Sequence, residues 1–224
     1  MKERELKNHL YDLVARIGRA VSSPKRLELL ELLAQGEKPV ERLAREAAID
    51  MKLASAHLKA LRAAHLVKAR REGKNIHYRL SGGDVAELVV SLRTVAEEHV
   101  VELSVALDGM FDAPERLTTE NRQSLLQKAR KGDVVVIDVR PETEYDAGHI
   151  PFARSMPLAE LKHRLDELPK RKQIVAYCRG PFCLMSDEAA KLLRQRGYRA
   201  QKISDGVAEW QAAGLPIDTT GAHD

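Results

Sequence analysis

Cys178 and Cys183 are the only cysteines among 224 residues, and both fall in Tyr177-Cys178-Arg179-Gly180-Pro181-Phe182-Cys183. The segment follows an apolar run, Gln173-Ile174-Val175-Ala176-Tyr177, that reads as a strand, and precedes a helix expected to begin near Ser186. A thiol at a strand end that faces a helix N-terminus meets unpaired backbone N–H groups and a positive dipole end. Both favour the anion, so the placement suits a thiolate nucleophile or soft ligand.

A second chemical signal lies in residues 51–80. Eight Lys and Arg side chains (Lys52, Lys59, Arg62, Lys68, Arg70, Arg71, Lys74, Arg79) stand there against one acid, Glu72. Residues 1–108 as a whole carry 19 basic and 16 acidic residues, so this is a local patch on a balanced domain. Concentrated positive charge is the footprint of an extended anion, most commonly nucleic acid. The plainer alternative is a solvated charged face.

The elements that would position these residues divide into two styles. Leu6, Leu10, Leu13, Val14 and Ile17 follow a helical stripe. Ser23-Pro24 reads as a helix start with a capping hydroxyl before a first-turn proline, and Gln35-Gly36 as its stop. A short helix over about 40–47 and a second from about Met51 to Ala64 follow, the latter with Leu53, Ala56, Leu58 and Leu61 inward. Glu72-Gly73-Lys74-Asn75 then separates two short runs, 66–71 and 76–80, as the turn of a β-hairpin. One long helix is expected from about Asp84 to Leu107, with more apolar face than a small domain can cover, which implies a second subunit. Asp108-Gly109 through Pro114 reads as the boundary. Beyond it, Val134-Val135-Val136-Ile137, Ile174-Val175-Ala176-Tyr177 and a short run over 197–203 alternate with helices, the pattern of a buried parallel sheet.

The expected fold is therefore two domains. Residues 1–108 form a mainly α winged helix-turn-helix with a β-hairpin wing, and 109–224 an α/β domain around a central parallel sheet. In such a reader the second helix enters the major groove and the hairpin reaches phosphates. Lys52, Ser55, His57 and Lys59 are the outward candidates on the helix, and Arg70, Arg71, Lys74 and Arg79 those on the wing.

Ser23-Pro24-Lys25-Arg26-Leu27-Glu28-Leu29-Leu30, Ser55-Ala56-His57-Leu58-Lys59-Ala60-Leu61, Leu66-Val67 and Arg70-Arg71-Glu72-Gly73-Lys74 to Tyr78 resemble the ArsR/SmtB family of dimeric bacterial repressors. The resemblance covers about residues 5–107 and implies a homodimer on near-palindromic operator DNA, released by an inducer. Many members sense metal through cysteines in the first helix of the pair and others through carboxylates and histidines at the ends of the last helix, whereas this chain has Val40-Glu41-Arg42-Leu43-Ala44-Arg45-Glu46 in the former place. His99 and Glu102, three apart on the last helix, are read as an interface histidine beside an acid rather than as metal ligands; no metal and no cofactor is assigned.

Asp138-Val139-Arg140, Gly148-His149-Ile150-Pro151, Asp205-Gly206-Val207-Ala208-Glu209-Trp210 and Gly214-Leu215-Pro216, together with the Cys178 loop, resemble a rhodanese domain over about residues 115–219. That resemblance implies sulfane-sulfur transfer through a persulfide on Cys178, with Asp138 and Arg140 as the strand-end pair that organises the pocket. A plain surface ion pair is the alternative for those two. Gly180 allows close backbone approach and Arg179 adds positive charge. The chain departs from the family where Gly180 falls two residues after the cysteine instead of three. Cys183 occupies the region of a closing arginine, and Phe152 stands where Gly usually follows Ile-Pro.

Cys183, five positions on, could lie within the 4.4–6.8 Å Cα separation of a disulfide and act as a resolving thiol. Three functions follow: a repressor sensing reactive sulfur species through Cys178 and Cys183; a working sulfurtransferase with an attached DNA-binding domain; or an arsenical or soft-metal sensor using the same thiols. Expected partners are double-stranded operator DNA, a second copy of the chain and a small sulfane-sulfur donor. The amphipathic start, with no apolar run near the ~20 residues a membrane span needs, points to a cytoplasmic protein.

Overall fold

The computed structural model describes residues 3–110 and 119–220. They fall into two compact units, residues 1–89 and 90–224. Part of the expected boundary, 111–114, lies outside the described residues.

In the first unit, α1 (Glu3–Val21) and α2 (Pro24–Ala34) lead to a two-residue strand β1 (Lys38–Pro39). The pair α3 (Val40–Glu46) and α4 (Met51–Ala63) follows, then the hairpin β2 (Val67–Glu72) and β3 (Asn75–Leu80). The three strands form an antiparallel sheet in the order β1-β3-β2, with Ala69 opposite Tyr78 and Glu72 opposite Asn75 across the hairpin. Leu29, Leu30, Leu43, Leu58 and Leu61 are fully buried in a single core.

Three local expectations are corrected. Ser23 makes no side-chain cap bond, so α2 starts on the preset φ of Pro24 and on Leu27 N–H donating to the Ser23 carbonyl. In α4 the inward set is Ala54, Leu58 and Leu61, while Leu53 and Ala56 are exposed. Asp50 caps this helix by accepting from Leu53 N–H at 2.8 Å, which sets where the first turn begins and so rotates Leu53 outward. The long last helix is two: α5 (Gly83–His99) and α6 (Val101–Met110), separated by Val100. Val100 N–H still donates to Ala96 O, and Val100 O accepts from Leu103 and Ser104, so the ladder is interrupted over one residue at a β-branched pair.

The second unit contains α7 (Thr119–Lys131), β4 (Val134–Asp138), α8 (Glu142–Ala147), β5 (Arg154–Ser155), α9 (Leu158–Leu161), β6 (Gln173–Tyr177), α10 (Met185–Gln195), β7 (Arg199–Lys202) and α11 (Val207–Ala212). Its four strands run parallel in the order β5-β4-β6-β7, with Asp138 in register with Tyr177 at the strand ends. Side chains alternate between two cores. Val135, Ile137, Ile174, Ala176 and Cys178 pack on one face with Leu161, Ala189 and Leu193. Val134, Val136, Val175 and Tyr177 pack on the other with Ile150, Val207 and Trp210. That period of two puts Cys178 and its neighbour Tyr177 into opposite cores.

Candidate functional site

The sulfur loop leaves the C-terminal end of β6 and enters α10 seven residues later. Cys178 is 1% exposed and joined to Cys183 as a disulfide, with their Cα atoms 6.3 Å apart. The loop curls because Gly180 takes φ +140° and Cys183 N–H donates to its carbonyl at 3.1 Å. Phe182 and Leu184, on either side of Cys183, are exposed.

The loop backbone lies against the N-terminus of α11. A Cβ at Gly206 would stand 2.5 Å from the Arg179 carbonyl carbon and 2.7 Å from the Cys178 oxygen, so only glycine permits this approach. Glu209 reaches back to accept from Gly206 N–H at 2.7 Å and pairs with Arg93 of the same unit. Its carboxylate faces Gly180, where an added Cβ would meet Oε2 at 3.1 Å. Asp205, just before Gly206, is held by Arg122.

Under the strand ends sits a buried charge cluster. Asp138 is fully buried and Arg140 is 1% exposed, so theirs is not a surface ion pair. Asp138 Oδ1 accepts from Arg140 N–H and Nε, and its Oδ2 from Arg140 Nη2 at 2.6 Å. Arg140 Nη2 also donates to the Gly148 carbonyl, tying β4 to the end of α8. Burial works against the Arg140 cation, but its bonds to Asp138 outweigh it and hold the guanidinium above its ordinary range. The Tyr177 hydroxyl donates to Asp138 Oδ2 at 2.6 Å and accepts from Ile150 N–H. Burial first, and then the Asp138 charge, push that phenol well above its usual value, so it remains a donor.

Arg179 is bound by a carboxylate of α8. Its Nε and Nη2 donate to Glu144 Oε2 and Oε1 at 3.0 and 2.6 Å, and Glu144 is 1% exposed. The cation expected at the loop is thus bound by a carboxylate from α8 that also acts on Arg140. Glu144 and Tyr177 were not among the candidate residues. The detectable signal for Tyr177 was alternation, which sets it on the Asp138 face; no spacing pointed to Glu144. His149 Nδ1 bonds the Tyr145 carbonyl at 2.9 Å and its ring stacks on Tyr145 at 3.7 Å, which makes it a packing residue.

On the basic face, Lys52 and Lys59 of α4 are exposed, with Ser55 and His57 half-buried beside them. Arg71, Lys74 and Arg79 are exposed on the hairpin, and Arg71 Nε donates to Gly73 O across its turn. Arg70 is engaged within the protein, with Nε to Glu37 Oε1 and Nη1 to Glu72 Oε2, both at 2.6 Å. His77 lies 3.7 Å from Glu37 and 3.8 Å from Glu72. At the end of α5, His99 is exposed beside Glu98 at 3.9 Å. Among the described residues no group of three or more His, Cys, Asp or Glu is arranged to hold a metal ion. No helix among them is long and apolar enough to cross a membrane.

A winged helix-turn-helix joined to a parallel α/β domain with a cysteine loop at its strand ends defines a two-part regulator. Residues 23–69 match the arsR family of bacterial regulatory proteins and residues 121–213 the rhodanese-like domain. The chain is 44% identical over 216 residues to the HTH-type transcriptional regulator Rv0324 of Mycobacterium tuberculosis, covering 96% of this chain and 95% of that protein. It belongs to the ArsR family of transcriptional regulators, in the form that carries a C-terminal rhodanese domain. A sulfurtransferase of Allochromatium vinosum is 36% identical over 97 residues, which span 42% of this chain and 89% of that protein. The solution structure of the homodimeric winged helix-turn-helix DNA-binding domain Mb0332 of Mycobacterium bovis is 45% identical, covering 44% of this chain and 90% of that one, with a TM-score of 0.41.

Proposed function

We propose that this regulator is a homodimeric repressor that binds operator DNA through α4 and the hairpin and senses sulfane sulfur at Cys178. The reading is carried by one observation: the chain's only two thiols lie in a single strand-to-helix loop, close enough to join as a disulfide. The Cys178 thiolate attacks the sulfane sulfur of thiosulfate or a polysulfide. Sulfite or the shortened polysulfide leaves, and a persulfide remains on Cys178. Cys183 thiolate then attacks Sγ of Cys178, and the outer sulfur departs as hydrosulfide with the electron pair of the broken S–S bond. Two thiols are oxidised, one sulfane sulfur is reduced, and the loop is closed. To empty an operator decisively, the closed form must favour the weak-binding state by a few kcal/mol.

The test is an anisotropy titration of the reduced full-length protein on duplex from the region upstream of its own gene, with intact-mass detection in parallel. Polysulfide is expected to weaken wild-type binding at least about tenfold, a difference of about 1.4 kcal/mol, with loss of two hydrogens in mass. Cys178→Ser should keep full affinity after the same treatment. Normal release by Cys178→Ser would sink the mechanism. The similarity to the Allochromatium vinosum sulfurtransferase supports a second reading, an enzyme that turns over. Many thiocyanate or sulfite equivalents per subunit, rather than one, would favour it.

A further inference from the structure

Both chain neighbours of Cys178 are anchored by their side chains in the buried charge cluster. Tyr177 is held on Asp138, and Arg179 on Glu144 through two parallel bonds of 3.0 and 2.6 Å. The cluster contains two carboxylates, Asp138 and Glu144, and two guanidiniums, Arg140 and Arg179, so its formal charges cancel. A lone guanidinium next to a thiolate would shift its ionisation by about one to three units. Arg179 is the next residue along the chain. Engaged bidentately by a carboxylate that is 1% exposed, it instead presents the sulfur with a matched pair. Its backbone is pinned as well, since the Arg179 carbonyl packs on Gly206 with no room for a Cβ.

We propose that Glu144 is a positioning residue for the sulfur chemistry of Cys178: by holding Arg179 it fixes the start of the loop and keeps the guanidinium charge off the thiolate. This rests on Cys178 being the nucleophile of the proposed function.

The test uses the full-length chain in a Cys183→Ser background, where thiolate absorbance against pH reports Cys178 alone. Glu144→Gln should lower the ionisation midpoint by about one unit, because a negative charge beside Arg179 is removed, and Arg179→Met should raise it by about as much, because a positive charge is removed. The double variant should return within about 0.3 unit of the parent, because the two opposite shifts cancel. A purely structural pair would alter stability in all three and move no midpoint, which would overturn the proposal. So would equal increases in Arg179→Met and the double variant, since Arg179 would then act directly on the sulfur. If Glu144→Gln alone fails to fold, as an unmatched buried cation can cause, the comparison of Arg179→Met with the double variant still decides. No sulfur donor is present in these titrations. Failure of wild type to form a persulfide would therefore remove the sensory reading without touching this result, and normal persulfide formation with unmoved midpoints would remove this proposal alone.

Discussion

Sulfur chemistry at a loop cysteine needs a backbone that stays in place while the partner group moves, and Tyr177 bears directly on that. Its hydroxyl satisfies Asp138 Oδ2 and Ile150 N–H in a site sealed from water. Tyr177→Phe leaves the Ile150 N–H buried without that acceptor and takes one donor from Asp138. The expected cost is about 1–3 kcal/mol of stability, read as a lower urea midpoint with an unchanged slope. Arg140 continues to hold Asp138 in that variant, so the strand end should survive. A drop well above this range would mean that the whole cluster collapses with the phenol.

Elements decide which of the charged residues can act outward. The hairpin places Arg70, Arg71, Lys74 and Arg79 in solvent, but Arg70 is already bound by Glu37 and Glu72. Each phosphate contact adds about 0.9 to the slope of log affinity against log salt. Lys74→Ala and Arg79→Ala should each flatten that slope by about one, and Arg70→Ala by clearly less; equal effects of all three would show that Arg70 leaves its carboxylates on DNA. In the second unit, the β5 approach turns at Phe152, a non-glycine residue at φ +65° whose ring is largely exposed. The left-handed backbone there accounts for the family's glycine at this point, since L side chains are strained in that region.

At the scale of the whole molecule, the surface carries apolar side chains that none of the described residues covers. On α1, Leu6, Leu10, Leu13 and Val14 share one stripe, with Leu10 53% and Val14 69% exposed. Leu88, Leu92 and Val95 on α5 and Val101 and Val105 on α6 are also exposed. An exposed apolar stripe such as that of α1 marks an interaction face, and a self-complementary one closes a twofold dimer. Wild type should sediment as a dimer, and Leu10→Glu combined with Val14→Glu as a monomer with much weaker operator affinity. A dimer that survives both charges would move the interface off α1. Stability in acid belongs to the same scale. Burial tends to raise the Asp187 carboxyl, but its bonds to Lys191 and Lys202 outweigh this and hold it below its ordinary value. Its contribution is therefore full above about pH 4 and is lost as pH falls through the depressed value, so Asp187→Asn should flatten the acid limb of a stability–pH profile.

Local pattern was enough to identify the helix pair, the wing, the parallel strands and the two-cysteine loop, because each rests on periodicity or spacing over a few residues. It also marked Asp138 and Arg140, through the motif that carries them. What it could not supply was the partner of each charge. Glu144 and Arg179 are 35 residues apart and meet only because β4 and β6 end side by side, with α8 folding back beneath them. The outward turn of Leu53 depends on where Asp50 starts α4, and the break at Val100 on one residue in an otherwise continuous ladder. Residue type and spacing put a cysteine at a strand end next to a basic side chain. Only the packed sheet, by placing Cys178 and Tyr177 in opposite cores and giving Arg179 a buried carboxylate, decided that the neighbouring charge is matched.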